Sequence, residues 1–172
     1  MPVLRLRTVA SAFVGVAVLA GAAGCAADGP PVQPGKSVPD SCALLSEDQI
    51  ESATGFTFAP GEINAQASRD DISQCVWLTP EGSDLPAVFV HVATTDITTA
   101  EQREAATNYY GSTADVEVPG GANAFVTGGG QHVGMEVGPY WVMVTVLEDS
   151  EDDLTAPTTE LARAVAAALA AH

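Results

Sequence analysis

Apolar and polar positions alternate or recur along the chain in a way that marks out short elements from residue 40 onward. Ser46-Glu47-Asp48-Gln49 is a capping box: the Ser46 hydroxyl accepts from the Gln49 backbone and the Gln49 side chain reaches back. Leu45 and Ile50 flank it as a hydrophobic staple, and Gly55 supplies a left-handed stop. The spacing predicts a helix from about Glu47 to Thr54. Phe56-Thr57-Phe58 is expected to begin a strand before Pro60-Gly61. Period-two alternation predicts strands over Gln74 to Leu78, with Cys75 and Trp77 on one face, and over Ala87 to Thr94, with Val88, Val90 and Val92 on one face.

Thr98 or Thr99 caps a polar helix that runs to about Tyr110. Four more strands are expected at Asp115 to Val118, Ala122 to Thr127, Gln131 to Val137 and Tyr140 to Leu147. Gly120-Gly121, Gly128-Gly129-Gly130 and Gly138-Pro139 separate them as turns. Pro157 opens a last helix with Leu161, Val165, Ala168 and Leu169 on a shared face. Turn-linked neighbours pair antiparallel, so the expected fold class is α+β: a meander-rich antiparallel sheet with helices packed against it.

The N-terminal region follows a different pattern. Arg5 and Arg7 precede an uncharged stretch from Val9 to Ala23, shorter than the about 20 residues a membrane-spanning helix needs. That is the layout of a signal peptide. It ends in small residues, and Ala22-Ala23-Gly24-Cys25 resembles a bacterial lipobox, with Ala22 where the pattern prefers Leu. The resemblance implies cleavage of residues 1–24 and diacylglycerol on the Cys25 sulfur. Simple secretion after Ala20-Gly21-Ala22 is one alternative, and an uncleaved membrane anchor is another. Residues 25–39 hold Pro30, Pro31, Pro34 and Pro39, a composition that packs no core. As an extended tether it would reach about 40 Å at ~3.1 Å per residue. Residues 40–172 form the single expected domain.

Charge narrows the function. The chain has 172 residues, Lys+Arg 6 against Asp+Glu 22, and a formal net charge of −16. Nucleic-acid binding needs a basic face to neutralise phosphate, so it is excluded as a function class. An acidic domain held off an acidic membrane by a spacer makes joint sense of charge and tether.

Of the three cysteines, Cys42 and Cys75 remain once Cys25 is assigned to lipid. An even pair in an exported domain reads as a disulfide, and closing a loop of roughly thirty residues stabilises by about 3 to 4 kcal/mol in the chain-entropy model. A redox or metal-binding pair is the sharper alternative, without C-x-x-C spacing or a nearby histidine pair to support it.

Asp40-Ser41-Cys42-Ala43-Leu44-Leu45-Ser46, then Gly55, then Cys75-Val76-Trp77 resemble the actinobacterial lipoproteins of domain of unknown function family 3558. Ser41 stands where that family usually has Pro. The resemblance implies an exported, lipid-anchored α+β domain with its two cysteines bridged, and no catalytic residue.

Candidate chemistry is sparse. The histidines are His91, His132 and His172. Strand alternation puts His132 on the same face as Glu136 with Gly134 between, where the pair would line a shallow surface patch. His91 or His132 beside a carboxylate is the most a hydrolase could use, since no G-x-S-x-G elbow exists. The triple glycine lacks the Lys-Ser/Thr of a phosphate loop, so no cofactor is expected. The acid run Glu148 to Asp153 counts like a calcium loop from Asp149 to Glu160, but Leu154 stands where Gly is needed and Pro157 intrudes, so no metal is assigned. The reading is a binding or interaction module of the cell envelope, held at the extracytoplasmic face of the membrane through Cys25. Its partner is an envelope protein or small ligand of unknown identity. The alternatives are an envelope hydrolase, a structural envelope protein, or a secreted protein without a lipid anchor.

Overall fold

The computed structural model describes residues 38–80, 85–94, 98–149 and 152–171. The signal segment 1–24, Cys25, most of the tether and His172 lie outside the described residues. Helix α1 (Glu47–Thr54) has both hydrogen bonds of its capping box, and Gly55 closes it at φ 79°. Strand β1 is Glu62–Ile63, β2 Ile72–Leu78 and β3 Ala87–Ala93. Helix α2 (Thr99–Tyr110) follows, then β4 (Thr113–Asp115), β5 (Ala122–Thr127), β6 (His132–Val137), β7 (Tyr140–Leu147) and α3 (Thr155–Ala170).

The seven strands form one sheet in the order β1-β2-β3-β7-β6-β5-β4. Every pairing is antiparallel. Two meanders, β1 to β3 and β4 to β7, meet where β3 pairs β7 from Ala87↔Leu147 to Ala93↔Trp141. Helix α2 carries the chain from the middle of the sheet to its far edge. The α+β class with helices on an antiparallel sheet is therefore as expected, and Cys42 and Cys75 are bridged with Cα atoms 5.0 Å apart.

Two strands differ from expectation. Phe56-Thr57-Phe58 stays irregular: Phe58 turns into the core, and the next backbone bond runs from the Ala59 N–H to the Leu78 carbonyl at 2.8 Å. The ladder starts only at Glu62, after Pro60-Gly61. The strand expected at Asp115–Val118 forms earlier, at Thr113–Asp115, where it pairs with Phe125–Thr127. Helix α3 begins at Thr155, placing Pro157 in the first turn, where its missing N–H leaves no bond unmade.

Side-chain alternation divides the sheet into two faces. On one, Val88, Val90, Val92, Val133, Val142, Val144 and Val146 join Cys75, Trp77 and Met135 in the main core, covered by α1 and α3 through Ile50, Leu161, Val165 and Leu169. β-branched residues dominate because their stiff side chains pack well on a pleated surface. Helix α2 lies over β4, β5 and β6 on the other face.

Candidate functional site

The second face is where this chain sets chemistry-bearing side chains against a helix. Thr98 caps α2: its hydroxyl accepts from the Glu101 N–H, and the Glu101 carboxylate accepts from the Thr98 N–H at 2.8 Å. That backbone bond, with the Thr98 hydroxyl, holds the Glu101 carboxyl below its ordinary range. The first helical residue, Thr99, is buried and tied to the sheet. Its N–H donates to Glu136 at 3.3 Å and its hydroxyl donates to the same oxygen. A carboxylate at a helix start satisfies orphan N–H groups and matches the helix dipole.

Glu136 also accepts from the Asn123 amide at 3.3 Å. Asn123 sits at φ 52°, in the irregular stretch between Ala122 and Phe125 where the β5–β6 register shifts. The bulge turns the amide toward Glu136. Around them opens a polar cleft of about 610 Å³ that Arg103 and Asp115 also line. Arg103 bonds Asp115 and the Thr113 hydroxyl, and its guanidinium lies 5.8 Å from the centre of the Phe125 ring.

His132 and Glu136 do share a face of β6, but they do not form one open patch. The Phe125 ring covers Gly134 between them, and a Cβ at Gly134 would lie 2.6 Å from Phe125 Cζ. His132 is buried, not on the surface. Tyr110, the last residue of α2, lays its ring 4.0 Å from the imidazole centroid, and His132 Nδ1 shares a hydrogen bond with Thr145 Oγ1 at 2.9 Å. Burial pushes the His132 pKa down, which favours a neutral ring.

His91 lies on the same side of the sheet, in β3. Its ring meets Trp141 edge-on, with centroids 5.6 Å apart. Burial, and then the nearby Arg69 charge, lower its pKa. Asp71 lines the same cavity of about 340 Å³, but its carboxylate accepts from Arg69 Nε at 2.8 Å. A second cavity of about 260 Å³ lies under α2, between Ala105 and Ala106 above and Phe125 below. Gln102, Trp141 and Met143 line both cavities.

Neither Trp141 nor Gln102 carries a local signal. An apolar-alternating strand holds many aromatics, and only the docking of α2 selects these two. Asn123 was legible only as a small polar residue interrupting a strand.

The Cys42–Cys75 bridge is a core staple. Cys75 is fully buried against Trp77, and Gly61 is needed beside them, since a Cβ there would lie 2.5 Å from the indole. The acid run takes a capping role where it is described: the Thr155 side chain, and then its N–H at 2.9 Å, bond the Asp153 carboxylate and lower its pKa. Thr155 and Glu160, counted as later calcium-loop positions, lie in helix α3. Among the described residues no group of three or more His, Cys, Asp or Glu could hold a metal ion. Among them, too, no helix is long and apolar enough to cross a membrane.

Comparison with protein-family models, curated proteins and solved structures finds no match.

Proposed function

We propose that this chain is an envelope lipoprotein, anchored through diacylglycerol on Cys25 at the extracytoplasmic face of the membrane, whose α+β domain is a binding module. The likeness of its opening motif to the actinobacterial lipoproteins of domain of unknown function family 3558 belongs to the same proposal. The observation that carries it is the cysteine count. The Cys42–Cys75 bridge uses two of the three cysteines, and the third is Cys25, directly after a short uncharged run and four small residues. A stapled core suits an oxidising compartment. Two clefts on the α2 face, one polar and one apolar, support binding as the domain's role.

Expression of the full chain in a bacterium with lipoprotein processing tests the anchor. The wild type is expected in the membrane fraction, with an N-terminal peptide bearing diacylglycerol on Cys25. Cys25→Ala is expected to lose the lipid and the membrane retention. A wild-type chain with an unmodified N-terminus at Ala23, free in the medium, would overturn the anchor.

A further inference from the structure

The two cavities that meet at Trp141 form a groove, and the side chains around it have a chemistry that selects a ligand. Trp141 is 7% exposed and, among the described residues, its Nε1–H has no hydrogen-bond partner. A buried donor left unmade is costly, so such groups in native proteins call for an explanation. Trp141 and Met143 are joined in the walls of both cavities by Gln102, a long side chain on α2. Among the described residues no hydrogen bond holds its carboxamide.

The walls under α2 are mostly apolar and aromatic. The floor is the pleated face of the sheet, the roof is Ala105 and Ala106, and Tyr110 closes one end. At the lip, Tyr109 is 82% exposed and meets the Tyr110 ring edge-on, with centroids 4.7 Å apart. Charge is balanced at the other end, where Arg69 and Asp71 pair with each other and His91 is held toward its neutral form. Among the described residues lining the cavities an anion would meet no unpaired cation, and the chain is strongly acidic.

We propose that this groove binds a neutral, flat, conjugated molecule bearing a carbonyl oxygen, with its ring system between α2 and the sheet and its carbonyl accepting from Trp141 Nε1. This rests on the reading of the domain as a binding module, and names the ligand class. Apolar walls with a few placed polar groups are the usual make-up of a small-molecule site.

The test is isothermal titration of the full chain in mild detergent with coumarin, a neutral bicyclic lactone, up to millimolar concentration. One saturable site is expected. Trp141→Phe keeps the ring but removes the donor, and is expected to weaken binding about tenfold. Ala105→Trp fills the roof from an exposed helix position and is expected to abolish saturable heat with an unchanged thermal midpoint. All variants are measured in the same detergent, so partition into micelles cancels. Absence of a saturable site in the wild type, or binding indifferent to both substitutions, overturns the proposal. A chain that self-associates through this face, with Ala105→Trp giving monomers and coumarin without effect, overturns it as well. The same titration on Cys25→Ala separates this result from the anchor, because loss of lipid leaves the groove intact.

Discussion

The ring of Phe125 lies on the backbone of Gly134, so close that a single added methyl would reach within 2.6 Å of it. Opposite strands place the two residues at one register position, Phe125↔Gly134. The large residue fills the space the small one leaves, and this pairing separates His132 from Glu136. Phe125 is fully buried and carries Arg103 above it, so it has nowhere to retreat. Gly134→Ala is expected to destabilise the fold by about 1–3 kcal/mol through overpacking. Urea denaturation checks this, and Phe125→Leu in the same chain should recover part of the loss by opening room for the methyl.

Glu136 joins α2 to the sheet. Its removal leaves the Thr99 N–H and buried hydroxyl without their acceptor. Glu136→Ala is expected to cost about 2–3 kcal/mol, in the range for hydrogen bonds to a charged group. Glu136→Gln keeps one acceptor oxygen and should cost less. Hydrogen exchange at the first turn of α2 should accelerate in the alanine variant before the main core does.

The disulfide closes a loop with a sequence separation of 33 residues. Replacing both Cys42 and Cys75 with alanine is expected to remove about 3 to 4 kcal/mol, mostly by enlarging the unfolded ensemble. A thermal melt of the double variant measures it. Loss of far less would mean that the reduced chain stays compact around Trp77.

Burial lowers the pKa of both His91 and His132 below the ordinary value of 6.5. The unfolded chain then binds more protons than the folded one as pH falls below that value. Their contribution to stability is present above pH 6.5 and is lost as pH drops through 6.5 toward the lowered folded values. Relief of acidic self-repulsion acts in the opposite direction, so the readout is a difference. Between pH 7.5 and 5, urea midpoints of wild type should fall relative to those of His132→Gln and His91→Gln. Parallel pH dependences in all three chains would show that neither ring resists protonation.

Local elements were legible because their causes are local. A capping box acts over three residues, and a glycine turn over two or three. Ser46–Gln49 and the alternating valines of β3 therefore announced themselves, while the start of α2 was narrowed to Thr98 or Thr99 and only the structure selects Thr98 with Glu101. Even there, β4 shifted toward Thr113 because pairing with β5, not intrinsic pattern, decides where a three-residue strand forms. The order β3-β7 in mid-sheet had no sequence signal, since it joins two segments that alternate equally well.

By itself the sequence determined the class, the Ser46 cap, the faces of β2 and β3 and the cysteine pair. Tertiary structure decided what each face meets. Alternation places His132, Gly134 and Glu136 together but says nothing of α2, which buries the first under Tyr110 and bonds the last through Thr99, 37 residues away in the chain. The same docking leaves the Trp141 donor without a partner beside a groove. Periodicity is a property of neighbours along the chain, whereas burial and hydrogen-bond satisfaction depend on which distant surface packs against them.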